Sequence, residues 1–195
     1  MYDYEDNYQQ MNFLCKYFQS GFARGAKCYY TASESTPYHT LKLFNNCGID
    51  AVKYTSSGML EILSANDVYL GKGYFEPENT LNACLKLVQE CLKQGFKHVY
   101  FAGDMTWASK DISVLDRLFQ YEKKVNPVVE DLKIAAVCAY NKNFFSPDIV
   151  KEAAKLHPYK VIDNCKIVKN TAYVKENASV RRQIGDIIKS GLFGS

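Results

Sequence analysis

The stretch Val99 to Asp111, VYFAGDMTWASKD, runs as an apolar segment into Gly103 and Asp104, and reaches the chain's one tryptophan, Trp107, three residues later. An acid at the carboxyl end of a strand stands where open α/β folds gather their ligands. There a carboxylate orients polar groups and an indole offers an apolar wall. The same residues also read as plain local structure, with Asp104 capping the next turn and Trp107 packing against a loop. Further chemistry-bearing residues sit in VCAYNKNFF (Cys138, Tyr140), FQYEKKVN (Tyr121, Glu122) and KLHPYKVI (His157). If the strand ends share one sheet edge, these side chains surround a single cleft, whose aromatic walls and few polar groups suit a small molecule. On the packing alternative, Tyr140 belongs to the core and Glu122 pairs with a lysine of its own helix. His157 then closes a helix at the negative end of its dipole. The ligand-binding expectation falls on Asp104, Trp107, Tyr121, Glu122, Tyr140 and His157. No catalytic residue and no metal ligand is expected.

Several common chemistries lose their support. No G-x-x-x-x-G-K-[ST] or G-x-G-x-x-G follows an apolar run, and LGKGYF lacks the glycine spacing that wraps backbone N–H groups around a phosphate. There is no G-x-S-x-G, H-x-x-x-H or S-x-x-K. Seven cysteines are scattered without a C-x-x-C pair, which suits a reducing compartment; Cys84 and Cys91 read as small apolar residues on one helix face. Spacing alone gives no zinc site, and no cofactor is expected. A net charge of +3 is too small to argue for nucleic acid, and the 15 tyrosines are not interleaved with basic residues. No apolar run approaches the roughly 18 residues of a membrane span, and the start, MYDYEDNYQQ, is acidic and polar. A cytosolic protein without membrane contact is expected.

The elements that must position these residues are legible from periodicity. Asp6 to Arg24 carries Met11, Leu14, Cys15, Phe18 and Phe22 at helical spacing and stops at Gly25. No clear strand precedes it, as in a chain that begins late. AKCYYTA reads as a buried strand and TPYHTLKLFNNCG as a helix with Thr36 as cap and Pro37 at its first position. IDAVKYT and GMLEILSANDVYL read as extended segments. FEPENTLNACLKLVQECLKQGF is the clearest helix, with Leu81, Leu85, Val88 and Leu92 on one face. HVYFAG and KIAAVCAY are two-sided apolar strands. Between them ISVLDRLFQYEKKVNPVVEDL is a helix expected to break or end near Pro127. SPDIVKEAAKLH is a shorter helix, and YKVIDN with KIVKN forms a hairpin around Asn164 that finishes the sheet. Alternating strands and helices with apolar strands imply a three-layer α/β fold, a mostly parallel sheet flanked by helices. At 195 residues this is one domain with an appendage. The boundary falls near Thr171, giving a domain over 1–170 and a tail over 171–195. The tail carries a weak helical pattern (Val180, Ile184, Ile187, Ile188) and is expected to pack back, pair with a second copy, or lead to a partner.

From Tyr4 to Tyr173 the chain resembles the MEDS family, the methanogen/methylotroph DcmR-like sensory domain. The resemblance rests on the ordered series YDYEDNY, FQSGFARGAKCYY, NNCGID, GMLEIL, DVYLGKGYFEPENTL, KQGFKHVYFAGDMTWA, FQYEKKVN, VCAYNKNFFSPDIV and KLHPYKVI. It implies a RecA/KaiC-like domain without a phosphate loop, in agreement with the motif that is missing. It also implies a sensor of small organic compounds working alone or with histidine-kinase, anti-sigma or DNA-binding modules. Two departures stand out. Asp104 replaces the family's usual glutamate, and the family's short leading strand with its histidine is not found.

The resulting expectation is a non-catalytic sensory domain that binds a small organic ligand at the strand ends and signals through the segment after Thr171. Two rivals are a degenerate RecA-like nucleotide binder or enzyme, in which Asp104 or Glu122 holds a metal or acts as base, and a ligand-free interaction module.

Overall fold

Asp6 accepts a 2.8 Å hydrogen bond from the Gln9 N–H and so starts helix α1, Asn7–Phe22, whose apolar face is buried from Met11 to Phe22. The structure, a computed structural model, describes residues 1–33, 36–71, 73–132, 134–162 and 165–175. Before α1 lies β1 (Tyr2–Tyr4), and after it β2 (Lys27–Ala32), α2 (Pro37–Asn46), α3 (Ala51–Ser56) and β3 (Leu60–Ser64). Then come α4 (Ala65–Leu70), α5 (Pro77–Lys93) and β4 (Val99–Asp104), which runs into 3-10 turns over Met105–Lys110 and Ile112–Val114. The series closes with α6 (Leu115–Leu132), β5 (Ala135–Asn141), α7 (Pro147–Lys155), β6 (Tyr159–Ile162) and β7 (Lys166–Lys169).

The five strands β1, β5, β4, β2 and β3 form one sheet in that order, and every pairing is parallel. This is the expected helix-flanked parallel sheet. Side chains alternate across it, so the two faces build separate cores. Tyr2, Tyr4, Cys28, Tyr30, Ala102, Val137 and Ala139 pack with α1, α2 and α3. Cys138 and Tyr140 pack on the other face, with residues of α4, α5, α6 and α7. The β2 to β3 connection runs over one face and the β4 to β5 connection over the other. The topological switch point therefore lies between β2 and β4. Asp104 ends β4 at that point.

Six expectations need correction. A strand does precede α1: Tyr2 to Tyr4 pair with Ala139 to Asn141, a three-residue run too short for periodicity to show. IDAVKYT is a helix, because the Asp50 carboxylate caps it through the Lys53 N–H at 3.0 Å. GMLEILSANDVYL is extended only to Ser64, after which Ala65 and Tyr69, four apart, bury one face of a helical turn. On α5, Leu92 is 47% exposed and Cys91 takes the buried position. Helix α6 continues through Pro127, since Leu118, Tyr121, Val125 and Val128 anchor both halves on the same core. The closing hairpin forms, although Asn164 lies outside the described residues, but it does not finish the sheet: β6 and β7 pair antiparallel as a separate two-stranded sheet. It docks beside β1, with the Met1 amino group donating to the Tyr159 carbonyl and the Val161 N–H to the Met1 carbonyl. The pattern over Val180 to Ile188 also falls outside the described residues. No helix among the described residues is long and apolar enough to cross a membrane.

Candidate functional site

Why β4 ends in Gly-Asp follows from its two faces. A Cβ at Gly103 would lie 2.5 Å from Met105 Cε and 2.7 Å from the Tyr69 hydroxyl, so only glycine lets these side chains close over the strand. Asp104 faces the other way. Its Oδ1 accepts from the Thr106 N–H at 3.0 Å, the Thr106 hydroxyl at 2.6 Å and the Tyr4 hydroxyl at 3.4 Å. Gln10 Nε2 donates to the Tyr4 and Tyr30 hydroxyls at 2.9 and 3.2 Å. Behind them the Ser33 hydroxyl ties β2 to β4, donating to the Asp104 carbonyl at 2.6 Å and accepting from the Trp107 N–H at 3.2 Å. Burial pushes the Asp104 carboxyl above its ordinary value, and the bonds from Thr106 only partly oppose this.

This cluster opens onto a cleft of about 630 Å³ at the carboxyl ends of the strands. Tyr4, Tyr30, Asp104, Thr106 and Asn141 line its floor. The first turns of α1 and α2 form its wall, through Asn7, Gln10, His39 and Thr40. Both helices point their N-terminal ends at it, so partial positive charge faces a buried acid. The arrangement can hold a small molecule by several hydrogen bonds, with Met11, Leu43 and Phe144 as apolar contacts.

The single cleft expected from the strand ends is divided in two by the sheet. Asp104 is in register with Ala139, which faces α1, whereas Cys138 and Tyr140 face α6. Trp107 leaves Asp104 and stacks on Tyr69 at 4.7 Å and against Phe75 at 4.9 Å, where it is 4% exposed. Tyr121 joins that aromatic group, edge-on to Tyr69 and Phe75. It also lines an apolar cavity of about 70 Å³ with Cys84 and Met105. Glu122, Tyr140 and His157 do meet, but on the α6 face. Glu122 is 1% exposed; it accepts from the Tyr140 hydroxyl at 2.9 Å and the Cys138 thiol at 3.1 Å, and lies 3.1 Å from His157 Nε2. Burial alone would raise its carboxyl. His157 and the two hydrogen bonds outweigh burial and hold it below the ordinary value. The partner of Glu122 is thus a distant histidine, not a lysine of its own helix. A second cleft of about 300 Å³ reaches Glu122, Cys138 and His157 from solvent.

The residues that sequence reasoning missed at the Asp104 cleft are Tyr4, Gln10, Tyr30, Ser33, Thr106 and Asn141. One signal was available: Gln10 is a polar residue four positions before Leu14, on the apolar stripe of α1, and it is buried.

Residues 1–158 match the model of the family described as MEDS, the methanogen/methylotroph, DcmR sensory domain. The chain belongs to the MEDS family. No curated protein matches it. As a MEDS domain it is a member of a sensory family, and the described fold of 1–158 is the part that the family defines.

Proposed function

We propose that the chain is a non-catalytic, cytosolic sensory domain that takes a small polar organic molecule into the cleft beside Asp104. The bound state is passed to a histidine kinase, anti-sigma factor or DNA-binding partner. The frame on which it works is of the RecA/KaiC kind without a phosphate loop. The observation that carries this reading is a buried carboxyl, flanked by Tyr4, Gln10, Tyr30 and Thr106, opening on a roomy cleft at the switch point of a sensory-family fold. A ligand that donates a hydrogen bond to Asp104 competes with Tyr4 and Thr106 for the same oxygen. Tyr4 belongs to β1, the preceding Met1 is bonded to β6, and β6 pairs with β7, which leads towards the segment after Thr171. A ligand shifts that segment only by preferring one of its arrangements.

Native mass spectrometry of the protein purified from its own host tests the reading. The expected result is a small molecule that stays with the native chain and is released on unfolding, and that is lost in Asp104→Asn. The reading fails if the native chain carries nothing and a panel of small amines, amides and alcohols leaves its thermal midpoint unmoved.

A further inference from the structure

We propose that Glu122, Cys138 and His157 form a binding site for a divalent transition-metal ion of the zinc class, with one coordination position open to the adjoining cleft. Three elements converge here: α6 brings the carboxylate, β5 the thiol, and the residue after the last turn of α7 the imidazole. Their donor atoms all lie within 4.8 Å of one another. Glu122 Oε2 is 3.1 Å from His157 Nε2 and 3.1 Å from Cys138 Sγ. In a tetrahedral zinc site, bonds of about 2.0 Å to nitrogen and oxygen and about 2.3 Å to sulfur put neighbouring ligand atoms roughly 3.3–3.6 Å apart. An ion is therefore accommodated once the two contacts of Glu122 open by a few tenths of an ångström, with Cys138 Sγ and His157 Nε2 within 4.8 Å of each other on either side of it.

The surroundings are those that aim metal ligands. His157 Nδ1 lies 2.9 Å from the Ala153 carbonyl, which takes its N–H and turns Nε2 inward towards Glu122 and Cys138. The Tyr140 hydroxyl holds Glu122 Oε1 at 2.9 Å and so turns Oε2 towards Cys138 and His157, the other two donors. A thiolate and a carboxylate neutralise a doubly charged ion, so the bound centre carries no net charge in a site where Glu122 and Cys138 are buried. Binding releases the thiol proton of Cys138 and any proton on His157 Nε2 to solvent. A structural ion pair of Glu122 and His157 has no need of a thiol on the same oxygen. The cleft of about 300 Å³ reaches the cluster past Asn126, Tyr159 and Tyr173, leaving room for water or a small ligand at the fourth position. Three protein ligands with one open position are the pattern of a metal that handles a ligand, as opposed to one that only braces a fold. The site lies on the sheet face opposite Asp104 and does not rest on the function proposed there.

Cobalt titration of the chelator-treated full chain, followed by absorption, is the direct test. One equivalent of Co²⁺ is expected to give a thiolate-to-metal charge-transfer band and the visible bands of tetrahedral cobalt, both removed by Zn²⁺. Cys138→Ser abolishes the charge-transfer band, Cys84→Ser leaves it unchanged, and Tyr140→Phe weakens binding about 10-fold or more. Absence of the bands at one equivalent, or their survival in Cys138→Ser, overturns the site. X-ray absorption of the zinc-loaded native chain gives a reading that no variant's folding can spoil. One sulfur at about 2.3 Å beside lighter ligands at about 2.0 Å supports the site, and any other sulfur count overturns it.

Discussion

Trp107 carries an indole N–H with no hydrogen-bond partner among the described residues. An orphaned buried donor costs about 1–3 kcal/mol, so the stacking on Tyr69 and Phe75 has to outweigh it. Trp107→Phe keeps a stacked ring and removes the orphan. In urea unfolding it is expected to cost about 1.5 kcal/mol or less, against about 3–5 kcal/mol for Trp107→Ala. Equal losses in the two variants would mean that the N–H has a partner. Asp104 makes a prediction of the opposite kind. Because burial raises its carboxyl above the ordinary 3.8, the folded state holds that proton more tightly than the unfolded chain does. The contribution to stability is fully present below pH 3.8 and is lost as pH rises through the folded value. Asp104→Asn should therefore flatten the decline in urea midpoint above about pH 4, and an unchanged slope would refute this. At this scale the sequence was legible residue by residue but not face by face. Asp104 was singled out and Tyr140 was singled out. Their separation depends on the pairing of Asp104 with Ala139, and register between two parallel strands leaves no mark on either strand's own pattern.

Elements long enough to repeat their helical or strand period were readable, and those too short to repeat it were not. Helix α1, the strand Lys27–Ala32 and the strand Val99–Asp104 each bury enough apolar side chains to announce themselves. The six residues of α3 do not. Ala51 is the only buried residue among them, and Val52 is 64% exposed, so the β-branched composition pointed to a strand while a capping carboxylate made a helix. Asp50→Ala is expected to cost about 1 kcal/mol, measured as a lowered urea midpoint, with Asp50→Asn close to native. A neutral Asp50→Ala would show that packing of Tyr54 against Phe22, at 3.7 Å between ring centroids, suffices to hold the turn. Pro127 taught the complementary lesson. A missing N–H breaks a free helix, but α6 lies on a core at both ends and keeps its direction.

In the molecule as a whole, one asparagine joins the end of β7 to α7. Asn170 Nδ2 donates to the carbonyls of Ala154 and His157 at 2.6 and 2.9 Å, its Oδ1 accepts from the Ala172 N–H at 3.1 Å, and the Val174 N–H reaches the Lys155 carbonyl at 2.9 Å. The exit of the chain is therefore pinned beside the His157 cluster. Asn170→Ala is expected to speed hydrogen exchange at Val174 by an order of magnitude or more while the β2 and β4 amides keep native protection. Equal acceleration in β2 would mean a general loss of stability and not a released exit. The long-range seating of β1 was the largest feature invisible in the sequence, and it bears on how the molecule is made. Tyr2 finds its place only against Ala139, so β1 stays unpaired until β5, far along the sequence, has been made and has joined β4. Until β5 arrives, the open flank of β4 offers bare amides to any neighbouring nascent chain, and that interval is when a newly made copy is most prone to clump.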